Sequence, residues 1–391
     1  MKVPSCIVHR APCAYFFLCP GMAYGIITSR LPALQIQTGA SESDIGLLLL
    51  CLGLSSVIAL LVSARLIALT GSRRLLRVAS LLLILSVALC GLPGHPLLLG
   101  VVFAGAGLGM GLTDVSMNTQ GILLERRLHT SCLSFMHAAY SFGGVLGALS
   151  GSLFAGLGLG VSAQACCVFG LYLCLHARAS AALLHDEPVV RTQAPVSDAR
   201  ALPPFILLCG VGAMLASSAE GAVAEWGGLL LVSVKGTQES TAALVFAVFS
   251  ATTVFCRLFG DRLRQLRSDA GLVFLGGTLS VCGMSLLLFA AHPALCLAGC
   301  ALMGAGLSPV VPVLFSRAGS VPGVNPGRAS AAVSMLSYSG MLFFPPLLGM
   351  VAQSCGLSSA LRIILAVCLV ITAGSVMLKN VPGTSASARR R

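Results

Sequence analysis

Three acidic residues, Asp114, Glu220 and Glu225, lie within long apolar runs of a sequence of 391 residues. If these runs cross a bilayer as helices, the rise of about 1.5 Å per residue places Asp114 roughly 16 Å from Glu125, where its run ends. Asn118 follows one turn later and shares the face of Asp114. A carboxyl group at bilayer depth costs at least ~2.5–3.5 kcal/mol and is by default a functional group, because hydrocarbon does not solvate it. Its simplest chemistry is to bind and release a proton.

We expect Glu220 to share proton transfer with Asp114. Glu225 follows five residues later and points about 140° away from Glu220, so these two acids do not line the same spot. His137 lies about two turns into the next apolar run, and histidine is a residue type that serves as a proton relay. The alternative interpretation is that Asp114 and Glu220 only pair with hydroxyl groups of neighbouring helices, and that His137 makes an ordinary helix–helix hydrogen bond.

The composition indicates that lipid is the solvent of these runs. Charged residues make up 9% of the sequence and hydrophobic residues 57%, whereas a soluble domain carries about 25% charged residues. The runs are rich in Gly, Ala and Leu and exceed the length of barrel strands, which favours helices. The net charge of +12 does not indicate a nucleic-acid-binding protein, because the basic residues lie in short clusters between the runs. The sixteen cysteines lack metal-type spacing with histidine and predict neither zinc sites nor disulfides.

Charges, prolines and polar clusters divide the chain into candidate transmembrane helices of roughly 20 residues each. The twelve candidates cover residues 11–30, 44–64, 75–92, 97–122, 132–158, 160–178, 204–233, 241–260, 270–290, 293–316, 329–355 and 357–378. The longest polar segment follows the sixth candidate. We therefore predict an N-terminal six-helix bundle over 1–178, a cytoplasmic linker over 179–203 and a C-terminal six-helix bundle over 204–391.

The basic residues predict the orientation of these helices. An even number of spans places both termini on one side of the membrane. Of the 24 Lys and Arg residues, all but Arg30, Lys235 and Arg362 then fall on the side of the termini. Cytoplasmic loops carry such an excess of positive charge, so we expect both termini to be cytoplasmic.

Short matches between the two halves predict an internal repeat. "GMGLTD" (109–114) aligns with "GAGLSP" (304–309), and "YSFGGVLGALSGSLFAGLGL" (140–159) aligns with "YSGMLFFPPLLGMVAQSCGL" (338–357), at nearly the same offset. Repeated halves of this kind are typical of secondary transporters, whose binding site lies between the halves near the bilayer midplane. The glycines of 105–111 and 143–151 also have the spacing of closely packed helices.

Six plus six helices, a central linker and basic loops after the second and eighth helices resemble the major facilitator superfamily. Within it, the chain is similar to the sugar-permease branch of bacterial inner-membrane proteins that includes fucose permease. The resemblance rests on "DVSMNTQGILLERR" (114–127), "HAAYSFGGVLGA" (137–148), "EGAVAEWGGLLL" (220–231), "RLFGDRL" (257–263) and "SYSGMLFFPPLLG" (337–349).

The resemblance implies an all-α membrane protein with the major facilitator fold, located in the inner membrane. An acid on the fourth helix is tied to proton coupling in this branch, and Asp114 occupies the matching position. His137 begins a recurring "HxxYSxG" pattern. The superfamily's loop motif implies gating roles for Arg73 after the second helix and for Asp261 with Arg257 after the eighth. Alternatively, these loop charges only anchor the topology.

Sugars are held by planar polar groups and aromatic faces that line a concave site. The candidate substrate-binding residues are Tyr24, Asn118, Gln120, Tyr140, Glu225, Trp226, Ser334 and Tyr338. Trp226 has a second interpretation as an interfacial anchor at a helix end.

The sequence therefore predicts a secondary transporter, expected to be monomeric, that moves a small polar solute such as a sugar together with protons. Two alternatives remain open: a drug or metabolite exporter that works by proton antiport, and a membrane sensor or scaffold that transports nothing. An enzyme is not expected, because the sequence shows no nucleophile–base pair, no metal-ligand set and no cofactor motif.

Overall fold

All regular secondary structure in the described part of the chain is helical. The structure is a computed structural model, and it describes residues 5–129, 132–185, 202–259, 266–324 and 326–379. Most of the predicted linker lies outside these ranges.

The chain divides into two compact units. The first contains residues 1–193 together with 238–247, and the second contains 194–237 together with 248–391. Helices of the first unit are α1 (Ser5–Ser29), α2 (Leu31–Thr38), α3 (Glu42–Thr70), α4 (Ser72–Leu89), α5 (Pro96–Leu128), α6 (Leu133–Gly156) and α7 (Val161–Ala181). Helices of the second unit are α8 (Pro204–Ser233), α10 (Asp269–Phe289), α11 (Pro293–Leu307), α12 (Val310–Gly319), α13 (Pro326–Cys355) and α14 (Leu357–Gly374), followed by the 3₁₀-helix Ser375–Lys379.

One helix is shared between the units. Helix α9 runs over Glu239–Leu258, and the boundary between the units falls within it, after residue 247. Its first half is therefore packed into the first unit, and its second half belongs to the second unit.

Eleven segments of the described chain are helical, long and apolar enough to cross a membrane. Helices α11 and α12 together form one of them, Pro293–Gly319. Helix α4 is not among the eleven, because Arg73, Arg74 and Arg77 lie in the first two turns of its 18 residues. The charged first turns shorten its apolar part below the usual span of roughly 20 residues.

The helix ends follow local rules that the sequence carries. Helix α3 begins with a capping box, in which the Ser41 hydroxyl accepts from the Asp44 N–H and the Asp44 carboxylate accepts from the Ser41 N–H. This pair satisfies two amides that the first turn leaves unbonded. Gly39, at the end of α2, has φ of 65°, a conformation that glycine adopts without steric cost.

Two features depart from the sequence expectation. The short helix α2 follows α1 directly, in a segment that lies between the predicted helices 11–30 and 44–64. The predicted helix over 293–316 is interrupted between α11 and α12 at Ser308 and Pro309. Proline has no N–H and its ring clashes with the preceding turn, which explains the break.

Glycines allow close approach of neighbouring helices, as their spacing predicted. Helix α1 packs on α6, and α3 packs on α5. A Cβ atom on Gly25 would lie 2.2 Å from the carbonyl oxygen of Gly144, and one on Gly107 would lie 2.1 Å from that of Leu52. Backbone-to-backbone contact of this kind leaves no room for a side chain in the α1–α6 and α3–α5 pairs.

We expect Gly25→Ala to lower the melting temperature of the purified protein by several degrees. The added methyl group would force α1 away from α6, and such overpacking costs about 1–3 kcal/mol. Differential scanning fluorimetry in detergent measures the shift. Gly170→Ala is the matched control, because a Cβ atom there meets nothing within 4 Å. Equal melting temperatures for the two variants would contradict the close α1–α6 contact.

Candidate functional site

Asp114 and Asn118 form a carboxyl–amide pair on helix α5. The Nδ2 atom of Asn118 donates to the main-chain oxygen of Asp114 at 2.8 Å and lies 3.4 Å from its Oδ1. Both side chains are half-buried. The helix supplies this geometry directly, since residues four apart share a face. The carboxyl group is thus oriented by its own helix and keeps one oxygen for a further partner.

His137 of helix α6 lies close enough to Asp114 for an electrostatic interaction. Its ring stands edge-on to Phe17 of α1, with ring centroids 5.4 Å apart, and its side chain is otherwise exposed. Three predicted residues of the first unit, Asp114, Asn118 and His137, therefore come together. The group can bind a proton on a carboxyl group or an imidazole and can pass it over a short distance.

Glu125 fixes the start of α6 relative to α5. Its Oε1 accepts from the main-chain N–H groups of Cys132 and Leu133, at 2.7 and 3.0 Å. A carboxylate at a helix N-terminus is favoured by hydrogen bonding and by the helix dipole. From the sequence, Glu125 was expected only to mark the end of a helix. The role of Glu125 depends on its contact with the following helix. The signal in the sequence for this contact is an acidic residue shortly before the start of a helix.

The second unit contains an ion pair between Glu220 and Arg257. The Oε1 of Glu220 on α8 lies 3.4 Å from an Nη atom of Arg257 on α9, and the two side chains are 25% and 46% exposed. The sequence placed these residues in different roles, one in proton coupling and one in gating. Their contact means that a change in the charge of Glu220 would act directly on Arg257.

Glu225 and Trp226 are buried in the second unit. Glu225 is 9% exposed and lines a narrow recess between α8 and α13, together with Ser218, Gly221 and Phe344. Trp226 is fully buried, and its indole N–H has no hydrogen-bond partner among the described residues. Complete burial does not fit the interfacial-anchor interpretation of Trp226, since an anchor exposes its ring to the membrane surface.

The remaining predicted substrate-binding residues are distributed over both units. In the first unit, Tyr24 is half-buried and stacks edge-on against Phe246, with centroids 5.4 Å apart, and Tyr140 on α6 is also half-buried. In the second unit, Ser334 is half-buried and Tyr338 is 53% exposed, both on α13. Their ligand-binding roles stay predictions.

Both ends of the Gln120 side-chain amide form hydrogen bonds within the protein. Its Nε2 donates to the Ser72 hydroxyl and to the Leu184 carbonyl, at 2.8 and 2.9 Å, and its Oε1 accepts from the Leu184 N–H. The residue is 2% exposed. A substrate would have to displace these bonds to reach the amide, so in this conformation Gln120 joins α5 to the start of α4 and to the segment after α7.

Arg73, a predicted gating residue, contacts the end of helix α7. One Nη atom donates to the carbonyl of Ala181 at 3.1 Å, and the other contacts the His185 ring. A cation at a helix C-terminus is favoured by the unbonded carbonyls there. The third predicted gating residue, Asp261, lies outside the described residues, as does its proposed contact with Arg257.

The first unit contains a second polar cluster, which was not predicted from the sequence. The Tyr15 hydroxyl donates to the main-chain oxygen of Tyr172 at 2.8 Å, and the two rings stack 5.0 Å apart. His176 joins the Tyr172 hydroxyl to Ser180, each at 3.2 Å. The spacing of Tyr172, His176 and Ser180, four residues apart on one helix face, was the available signal.

Comparison with known proteins decides the family. The Major Facilitator Superfamily profile matches residues 13–345. The chain belongs to this superfamily. It is thus a transporter and not an enzyme, and it is a multi-pass membrane protein.

This transporter is similar to several proteins over nearly its full length. An uncharacterized transporter of Sinorhizobium fredii is 31% identical over 86% of this chain and 89% of the relative. An uncharacterized MFS-type transporter of Yersinia pestis is 28% identical over 92% of this chain and 93% of the relative. The membrane protein MosC of Rhizobium meliloti is 28% identical over 96% of this chain and 93% of the relative.

Solved structures share the fold at low identity. A mutant of the nucleoside transporter NupG superposes with a TM-score of 0.80 at 10% identity, covering 95% of this chain and 99% of the other. A D-xylose-proton symporter superposes with a TM-score of 0.73 at 16% identity, covering 97% and 99%. The all-helical major facilitator architecture of this transporter is thus confirmed.

We expect Gln120→Leu to destabilise the protein by about 1–3 kcal/mol, because it removes the three hydrogen bonds that the buried Gln120 amide makes to Ser72 and Leu184. Thermal unfolding in detergent measures the loss. Gln353→Leu is the matched control, since Gln353 is an exposed glutamine of α13 and surface substitutions change stability little. If Gln120→Leu melts like the control, the three hydrogen bonds of Gln120 do not contribute to folding, and its predicted role in substrate binding is favoured.

Proposed function

We propose that this transporter accumulates a small polar solute, of the sugar class, by proton symport through alternating access. Asp114 is the main coupling residue, with His137 as its relay and Glu220 as a second acid. The uptake direction follows from symport along the inward proton gradient.

The observation that carries the proposal is the position of Asp114. It lies in the middle of α5, a helix of 33 residues, where Asn118 is within hydrogen-bond distance and His137 is within range of an electrostatic interaction. Neither bonds it tightly, since the amide lies 3.4 Å from the carboxyl oxygen. A carboxyl group placed at such a cost with so little compensation is typical of proton pathways in transporters.

The substrate class is supported by chemistry and by fold. The residues proposed to bind it offer amide, hydroxyl and aromatic groups, which suit a neutral polyhydroxylated solute. Two solved transporters of the same fold are described as a nucleoside transporter and a D-xylose-proton symporter. At 10% and 16% identity they support the solute class only as analogies of fold.

We also propose the complete topology. We propose that helix α4 also crosses the membrane, which brings the number of spans from eleven to twelve. Arg73, Arg74 and Arg77 then lie at its cytoplasmic end, and both termini are cytoplasmic. The halves are the six-helix bundles of residues 1–178 and 204–391, joined by the cytoplasmic linker 179–203. The protein acts as a monomer in the bacterial inner membrane.

We expect at least one sugar, polyol or nucleoside to raise the melting temperature of the purified protein. A ligand that binds only the folded state stabilises it by mass action, by about 2.7 kcal/mol at one hundred times its dissociation constant. A fluorimetric screen of monosaccharides, including D-xylose, with polyols and nucleosides, measures the shift. Stabilisation by lipophilic cations alone would favour the exporter instead.

We expect Asp114→Asn to abolish accumulation of that ligand in proteoliposomes under an inwardly directed proton gradient. The amide keeps the size of the carboxyl group but does not take up and release a proton near neutral pH, so uptake stops at equal concentrations. Counterflow of labelled against unlabelled ligand needs no net proton movement and should persist.

Glu42→Gln serves as the matched control, because Glu42 is a partly exposed acid in the first turn of α3. It should accumulate ligand like the natural protein. Normal accumulation by Asp114→Asn would refute its coupling role. Ligand binding without flux in the natural protein would favour the sensor.

A further inference from the structure

A cleft in the second unit is lined by apolar side chains alone. It has a volume of about 350 Å³ and lies among helices α8, α10, α12 and α14. Every residue that lines it is aliphatic, glycine or methionine. A sugar-like solute would find no hydrogen-bonding side chain there, so the cleft is not a second site for the proposed solute. Apolar cavities bind apolar molecules, because lining atoms that face a void lose their contacts.

The rim of the cleft is exposed, whereas its floor is buried. On the rim, Val211 of α8, Val370 of α14 and Met377 of the 3₁₀-helix are 40%, 55% and 56% exposed. On the floor, Val310 and Leu314 of α12 are almost completely buried. Both rim segments belong to helices that can cross a membrane, and exposed apolar side chains of such helices contact lipid. The bilayer is therefore the source of an apolar ligand for this cleft.

The cleft is elongated along the helices that form it. On α8 its lining extends from Leu208 to Leu215, which is roughly 10 Å at the rise of an α-helix. On the other side it extends from Val370 to Leu378. Transmembrane helices run across the hydrocarbon layer, as the acyl chains of lipids do. The long axis of the cleft therefore has the direction of an acyl chain in the membrane.

Arg317 places a positive charge at one end of the cleft. It lies one turn beyond Leu314 on α12, and one of its Nη atoms donates to the Leu378 carbonyl at 3.1 Å. Its guanidinium carbon lies 5.7 Å from the ring centroid of Phe205, at the start of α8. Since Leu314 and Leu378 both line the cleft, the guanidinium group is fixed beside it. Basic pockets between transmembrane helices attract anionic lipid headgroups.

We propose that this cleft binds one acyl chain of an anionic phospholipid, with the phosphate group at the end near Arg317. The apolar lining selects the chain, and the arginine selects the charge of the headgroup. The bound chain also supports α12, the helix that follows the break at Ser308 and Pro309, because residues of α12 form the floor. The inference takes only one element from the proposed function, namely that the end near Arg317 is cytoplasmic.

We expect the purified protein to retain one molecule of palmitoyl-oleoyl phosphatidylglycerol in native mass spectrometry, at collision energies that remove other bound lipids. Gly374→Leu should lower the retained fraction several-fold, because Gly374 lines the cleft and a leucine there fills it. A Cβ atom on Gly374 would meet nothing within 4 Å. The substitution therefore fits the fold, and the melting temperature without added lipid should not fall.

Gly170→Leu is the matched control, because Gly170 is an exposed glycine of α7 whose Cβ atom would also meet nothing within 4 Å. It should retain the lipid like the natural protein. Palmitoyl-oleoyl phosphatidylcholine has the same chains and no net charge, and the natural protein should retain it several-fold less than phosphatidylglycerol. Arg317→Met should remove this difference between the two lipids.

Equal retention of phosphatidylglycerol by Gly374→Leu and Gly170→Leu would overturn the cleft as the lipid site. Equal retention of the two lipids by the natural protein would overturn the role of Arg317, and this comparison needs no variant. A melting temperature that rises with n-decane but not with phosphatidylglycerol would assign the cleft to a small apolar solute instead. The measurements use neither transported solute nor a proton gradient, so their outcome is independent of the Asp114 tests.

Discussion

The cost of taking a charged or strongly polar group out of water is the constraint on which this structure depends. With a mean hydropathy of +0.95, the chain has few charges, and those that enter the apolar helices have to find partners within the protein. Arg30 is held by two carbonyls and a carboxylate. Glu220 meets Arg257. Asp114 forms no ion pair among the described residues and has a neutral amide at 3.4 Å with the His137 ring within electrostatic range, and that is why we assign it the proton.

Helix ends supply much of this compensation. Arg73 binds a carbonyl at the end of α7, Arg30 binds carbonyls at the end of α6, and Glu125 accepts from amides at the start of α6. Arg73 and Glu125 meet main-chain groups at the ends of helices, which the helix leaves unbonded, whereas Arg30 meets one carbonyl within α6 and one in the segment after it. The same contacts join helices of the first unit to one another, so electrostatic compensation and helix placement are achieved together. Glycine contacts such as Gly25 against Gly144 bring the helices close enough for these short side-chain reaches.

The family assignment and the local chemistry support different levels of the functional argument. Membership of the major facilitator superfamily establishes transport, and the relatives of 28–31% identity extend over nearly the whole chain. A shared fold does not select a substrate, because transporters of one architecture carry different solutes. The proposed solute class and proton coupling therefore depend on particular side chains, namely Asp114, Asn118 and His137 in the first unit and Glu220 with Arg257 in the second.

The sequence by itself determined the helical class, the positions of most spans and the glycine-mediated contacts, and it placed Asp114 in the interior of a long apolar helix. Each of these follows from local composition or from the helical period, which link residues at most a few turns apart. It also paired Asp114 with Asn118, since four-residue spacing on a helix fixes that contact. Only the tertiary structure decided that Arg30 meets Glu239, that Gln120 is bonded to Ser72 and Leu184, and that Trp226 is fully buried. Those contacts depend on how each helix is rotated about its axis and packed against helices distant in sequence. Hydrophobic periodicity predicts little about this rotation, because the faces toward lipid and toward protein are equally apolar.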